Sequence, residues 1–276
     1  MQSTVADDYA QVQPEETCPV MTVLVVGATG ATGRHVVQML LEQGHVVKAI
    51  VRNETKLRSL IAATSAPMEH LLVTEASLLD LSDAILNELT RDCNAIVSCL
   101  GHTLDVQGIW GKPYWLVTEA VQRLLNTTIF TNNKNTHHPA KFLLMASNGV
   151  GIGTTGTSRT TFERGVLWLL RHLVPPHADN EQAVAYLQAS TNSTTAVVEW
   201  AVIRPGVLVE SNHVTGYSIH PTSPRGPFSD GSVSRINVAH LMVELVLKDD
   251  LWQEYKYQMP IILNKDNEEL GTATTK

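Results

Sequence analysis

The sequence predicts a doubly wound parallel α/β sheet, a single domain with a small irregular cap toward its C-terminal end. Three observations point there. From Thr22 onward, short apolar runs rich in Val and Ile alternate with longer stretches at helical spacing, the pattern of buried strands joined by crossover helices. The first apolar run enters a turn with three glycines spaced three apart, and an amphipathic helix leaves it. No stretch has a linker's composition, so one domain over residues 21–264 is expected rather than two.

The elements follow in order. Residues 23–26 read as the first strand and 31–43 as a helix whose Val36, Val37, Leu40 and Leu41 share one face, with Gly44 as its stop. Residues 46–51 form the second strand, and Asn53 caps a helix over 54–63. A third strand near 70–74, a helix within 79–90 and a fourth strand at 95–100 repeat the unit. Helix 114–130 leads to strand 142–146. Helix 162–173 ends at Pro175-Pro176, and a further helix runs from near Asp179 to Ser190. Strand 200–203 is closed by Arg204-Pro205-Gly206. Residues 207–235, rich in Gly, Pro, Ser and His, predict an irregular substrate cap; helix 236–247 and a short strand at 260–263 complete the order. Residues 1–20 and 265–276 read as polar tails, the first of them mobile.

Composition narrows the function. With 276 residues, 43% of them hydrophobic, and a mean hydropathy of −0.01, the chain can bury a substantial core. A net charge of −7 argues against nucleic acid and against an anionic membrane surface as partners. Cys18, Cys93 and Cys99 cannot close a disulfide framework, and residues 1–20 hold no Lys or Arg. The apolar run at 165–174 is too short to span a bilayer. A cytoplasmic protein acting on a small molecule is expected.

The strongest motif is Gly27-Ala-Thr-Gly30-Ala-Thr-Gly33, set between strand and helix. Gly27 lets the chain reverse, Gly30 lets backbone N–H groups approach a pyrophosphate, and Gly33 lets helix and strand pack closely. The phosphates then lie at a helix N-terminus. A glycine-rich turn holding no ligand is the plain alternative. Arg52 stands at the end of the second strand, nineteen positions after Gly33, where an acid would accept from a ribose 2′-hydroxyl. An arginine there suits a 2′-phosphate instead, which predicts NADP. A solvated arginine closing the strand is the alternative.

These segments, with Ala95-Ile-Val-Ser-Cys-Leu-Gly101, Phe142-Leu-Leu-Met-Ala-Ser147, Trp200-Ala-Val-Ile-Arg-Pro-Gly206 and Ser234-Arg-Ile-Asn-Val-Ala-His-Leu-Met242, resemble the short-chain dehydrogenase/reductases, within them the atypical NmrA-like and flavin-reductase-like branch. The resemblance spans residues 21–263 and implies a seven-stranded dinucleotide (Rossmann) fold with nicotinamide over strands four and five. It implies that Gly27, Thr29, Gly30, Ala31, Thr32 and Gly33 wrap the pyrophosphate and that Arg52 holds the 2′-phosphate. It also implies that Cys99, Leu100 and Gly101 line the ribose, that Ser77 and Leu78 lie by the adenine, and that Ser147 takes the family's serine position. Ser77 stands where the family has Asp.

Catalysis departs from the family further. Its members set a Tyr and a Lys four residues apart before strand six, the Lys lowering the Tyr pKa for proton transfer. Here Pro176 and Asn180 occupy those positions, and no tyrosine has a lysine four residues later. His177 is the candidate proton donor and Asn180 a candidate ribose contact; simple N-capping by Asp179 is the competing reading. His102, Trp110, Tyr114 and Trp115 can stack on a flat substrate or close the core. His137-His138 lacks further ligands at metal spacing, so no metal site is expected. His220 and Arg225, in the expected cap, can meet an anionic substrate or simply face water. The expected function is an NADPH-dependent reductase of a flavin, quinone or similar conjugated acceptor. A non-enzymatic NADP sensor or scaffold is the alternative, and an epimerase or dehydratase the least favoured.

Overall fold

The structure, a computed structural model, describes residues 19–102, 113–131, 139–147, 150, 175–191, 198–222 and 231–265. The expected helix 162–173 and the expectations for Cys18, Trp110, His137, His138 and Arg225 lie outside the described residues. Strand β1 (Thr22–Val26) leads to α1 (Gly33–Glu42), β2 (Val46–Val51), α2 (Glu54–Ala62), β3 (Leu71–Glu75), α3 (Asp83–Thr90) and β4 (Ala95–Ser98). Helices α4 (Leu116–Leu125) and α5 (Thr128–Thr131) precede β5 (Lys141–Met145), and α6 (Pro175–Ser190) precedes β6 (Glu199–Pro205). Short strands β7 (Val207–Val209), β8 (Tyr217–His220) and β9 (Ser232–Ser234) follow, then α7 (Arg235–Leu247), α8 (Asp249–Tyr255) and β10 (Ile261–Asn264).

Eight strands form one sheet in the order β3-β2-β1-β4-β5-β6-β10-β8. Seven run parallel, and only β8, paired to β10 with Ile261 opposite His220, runs against them. This is the doubly wound α/β fold. Alternation along the buried strands divides the core between the two faces. Val23, Val25, Ala95 and Val97 pack with α1, α2, α7 and α8, whereas Leu24, Val26, Ile96, Phe142 and Leu144 pack with α3, α4, α5 and α6. Among the described residues no helix is long and apolar enough to cross a membrane.

Three details differ from the sequence reading. The cap over 207–235 is not wholly irregular: β7 and β9 form a parallel pair and β8 closes the edge of the main sheet. Strands of three or four residues are too short to show periodicity, and their partners are distant in sequence. The expected helix 114–130 is divided between α4 and α5, because Thr127 turns its hydroxyl onto the Leu124 carbonyl at 2.6 Å. Helix α6 starts at Pro175 rather than near Asp179; proline is tolerated in a first turn, where its missing N–H has no partner to lose.

Buried polar groups bind this scaffold together. The Arg204 guanidinium donates to the carbonyls of Met259 at 2.7 Å, Val150 at 3.0 Å and Pro221 at 3.4 Å, joining β6 to segments beyond β5 and β8. A Cβ at Gly206 would meet the Gly231 oxygen at 2.6 Å, which accounts for the glycine after Arg204-Pro205. Ser234 caps α7 by accepting from Asn237 N–H, and the buried Asn237 amide donates to Thr215 and Asn264. The motif around Asn237 is therefore a cross-link between cap and sheet.

Candidate functional site

Where the strand order reverses, between β1 and β4, the chains leave the carboxyl edge in opposite directions and open a crevice. The glycine turn lies on this edge. Gly27 has φ +77°, a left-handed conformation that disfavours side chains, and a Cβ there would press on the Cys99 carbonyl oxygen at 2.5 Å. A Cβ at Gly33 would collide with the Gly27 carbonyl, so the first turn of α1 rests directly on the bend. Gly30 differs: a Cβ there meets the Gly27 oxygen at 3.0 Å and nothing else within 4 Å, leaving that side of the turn open. Thr32, at the N-cap of α1, makes no side-chain capping bond. An open glycine surface in front of a helix N-terminus suits a phosphate.

Arg52 is exposed just past β2 and makes no ion pair among the described residues. Glu54 is turned away from it: its carboxylate pairs with Arg58 at 2.6 Å and its N–H donates to Glu75. The donor set thus fits a dinucleotide with a phosphorylated ribose, namely open backbone at Gly30 and Ala31 and an uncommitted guanidinium at Arg52. Glu210, past β7, pairs with Arg34 at 3.6 Å and with Arg235 at 3.2 Å, tying the cap to the first turns of α1 and α7.

The other expected contact residues are placed as follows. The Cys99 thiol points into the core beside Met242 at 3.9 Å, and burial pushes its pKa up to about 12, so only its backbone can line a ligand. Leu100 is half-buried and Gly101 exposed. The Leu78 side chain is buried in the core and its carbonyl accepts from Arg123, whereas Ser77 is half-buried. Ser147 is exposed two residues past β5. His177 lies in the first turn of α6, its side chain outside the described residues; Asn180 is half-buried in the next turn.

Asp179 does not cap its own helix. Fully buried, it accepts from Val117 N–H and Thr118 N–H of α4, both at 2.8 Å, and from His102 Nε2 at 2.8 Å. Its own carbonyl takes the Thr118 hydroxyl at 2.9 Å. The residue that would ordinarily cap α4 is Trp115, which has no acceptor to offer. Tyr114 and Trp115 are 44% and 43% exposed, so they do not close the core as one reading expected. The His102–Asp179 contact joins residues 77 positions apart, and sequence spacing gave no sign of it.

The switch point of the sheet, a glycine turn before a helix N-terminus and an arginine at the end of β2 are the features of a dinucleotide-binding α/β protein. The chain belongs to the NAD(P)H-binding family, whose profile matches residues 27–249. That assignment agrees with the resemblance to atypical short-chain dehydrogenase/reductases. Over 128 residues the chain is 30% identical to a fatty acid hydroxylase of Mycosarcoma maydis, a match covering 43% of this chain and 41% of that protein. The match thus spans about two fifths of that relative's length. It is 24% identical over 243 residues to an uncharacterized chloroplastic protein of Arabidopsis thaliana, covering 86% of this chain and 76% of the other. Among solved structures it is similar to the anaerobillin reductase ChuY of Escherichia coli, with TM-score 0.58, 18% identity and coverage of 90% and 99% of the two chains. A wide-type short-chain dehydrogenase/reductase of Veillonella parvula, in complex with NADP, gives TM-score 0.58 at 14% identity, covering 93% of this chain and 100% of that one.

Proposed function

We propose that the protein is an NADPH-dependent reductase of a small planar, conjugated acceptor such as a flavin or quinone, acting in a reducing compartment. The observation that carries this reading is the exposed pair Tyr114 and Trp115 at the start of α4, on the same sheet edge as the glycine turn. Aromatic rings left to solvent beside a cofactor crevice offer a stacking surface to a flat ligand. The preference for NADP rests on Arg52, uncommitted where the 2′-phosphate of a bound dinucleotide is expected. When bound, NADPH supplies the hydride. Gly30 and Ala31 would hold the pyrophosphate through backbone N–H groups, and the aromatic pair would orient the acceptor, so that proximity supplies much of the rate. With Pro176 and Asn180 at the family's Tyr and Lys positions, oxidation of simple secondary alcohols should be undetectable.

The test is stopped-flow NADPH absorbance with a panel of FMN, FAD and naphthoquinones, run beside Gly30→Val as a blank. The substitution fills the open face of the turn and should abolish dinucleotide binding while the fold survives. Turnover well above that blank is expected. Rates equal to it across the panel would favour the NADP-sensing alternative.

A further inference from the structure

We propose that Arg123 is a positioning residue for the adenosine half of the dinucleotide, acting through the loop that joins β3 to α3. This rests on the dinucleotide reading of the glycine turn and Arg52, and is independent of the acceptor. The loop, residues 76–82, starts on the edge where that half of the cofactor would lie. Glu75 ends β3 opposite Val51 of β2, and the Ala76 N–H donates to the Val51 carbonyl at 2.8 Å. The loop therefore leaves the sheet beside the backbone of Arg52. With the pyrophosphate at the first turn of α1 and a ribose at the end of β2, the base comes next along the same edge, toward β3.

What shapes this loop comes from α4. Arg123, in the last turn of that helix, donates from Nη1 to the carbonyls of Leu78 at 2.8 Å and Leu79 at 2.7 Å. From Nη2 it donates to the Leu81 carbonyl and to Asp83 Oδ1, the latter at 3.0 Å. A cation at a helix C-terminus ordinarily serves the last carbonyls of its own helix. These four partners lie 40 to 45 positions earlier instead. Leu78 is buried, and Leu79 and Leu81 pack against the same core as α4, so the loop is held by its side chains and its carbonyls together. Its residues belong to no helix or strand, which leaves those carbonyls in need of an outside donor. A planar guanidinium with five donors meets three carbonyls at fixed angles, which a lysine ammonium does not. Asp83 is 90% exposed and adds little beside them.

The consequence falls on cofactor binding. A loop pinned at three carbonyls keeps one backbone arrangement before any ligand arrives, so the adenosine half does not have to order it. Released from Arg123, the loop would be ordered at the expense of affinity. The first turn of α4 is itself held by Asp179, through the N–H groups of Val117 and Thr118. The helix is thus a strut fixed at both ends, its start beside Tyr114 and Trp115 and its last turn on the loop after β3.

The experiment titrates NADPH and 2′,5′-ADP, the adenosine half alone, into wild type, Arg123→Lys and Arg123→Met by calorimetry, well below each melting temperature. Both ligands should weaken about 10-fold in Arg123→Met, and by the same factor, with Arg123→Lys between it and wild type. An equal factor locates the defect in the half the two ligands share; a general loosening of the fold, which also disturbs the nicotinamide half, would weaken NADPH more. Hydrogen–deuterium exchange gives a second reading. In the wild type 2′,5′-ADP should slow exchange over residues 76–82, and without ligand Arg123→Lys should exchange there faster than wild type. Undiminished affinity in Arg123→Met, a loss confined to NADPH, wild-type binding of NADPH without 2′,5′-ADP, or binding of 2′,5′-ADP without protection of 76–82 would overturn the inference and leave the cofactor reading standing. Should Arg123→Met not fold, Arg123→Lys and the wild-type exchange decide. A wild type that binds neither ligand would overturn the inference and the cofactor reading together.

Discussion

Arg52 shows how much one side chain can decide. The acid nearest in sequence, Glu54, is already engaged with Arg58, and Arg52 makes no ion pair among the described residues; charge-assisted hydrogen bonds to a phosphate contribute roughly 1–3 kcal/mol. We therefore expect NADP to bind about 5- to 150-fold more tightly than NAD, and Arg52→Ala to erase the difference. Calorimetric titration of both dinucleotides checks this; equal affinities in the wild type would remove the argument. The places of Arg52 and the glycines were legible because they follow from local spacing along a strand, a turn and a helix. Asp179 was not. Its capping oxygens serve a helix 61 and 62 positions earlier, and nothing within one segment of sequence reveals a cap supplied by another.

At the scale of elements, the order of the strands from β1 to β6 was readable, because each is a buried run longer than the noise of composition. The cap strands were not, being short and paired across long separations. Lys141 illustrates what such long-range contacts do for an element. Buried at the start of β5, it donates to the last carbonyls of α7, Val246 at 2.8 Å and Leu245 at 3.4 Å, and pairs with Asp249 at 2.8 Å. Helix ends leave carbonyls without partners and favour a cation there. Lys141→Met should cost about 1–3 kcal/mol by leaving those carbonyls unsatisfied. Denaturant unfolding with an unchanged slope reads the loss; an unshifted midpoint would show that the α7 end needs no such partner.

The whole molecule carries a pH dependence built from its buried imidazoles. Burial lowers the pKa of His45, whose Nδ1 accepts the Met21 N–H at 3.2 Å, and burial with the neighbouring Arg34 lowers that of His35. As pH falls through the ordinary histidine value of 6.5, the unfolded chain takes up protons that the folded chain refuses. Stability from these groups is therefore complete above that value and is lost on the acid side. The melting temperature should fall between pH 7.5 and about 5.5, and His35→Gln with His45→Gln should flatten the decline. A wild-type profile that is level or rises toward acid would contradict the sign.

The capping of α4 by Asp179 also bears on the order of assembly. The two donors and their acceptor enclose some sixty residues, β5 among them, so the first turn of α4 gains its partner only after α6 has docked. A chain emerging N-terminus first presents β1 to β4 before α6, and the β1–β2 and β2–β3 pairings are closer in sequence than the cap. The edge bearing His102, Tyr114 and Trp115 must then wait for the later half. Its histidine and aromatic surface thus become fixed as assembly nears completion, and a partly folded chain with an intact glycine turn still lacks that ordered edge.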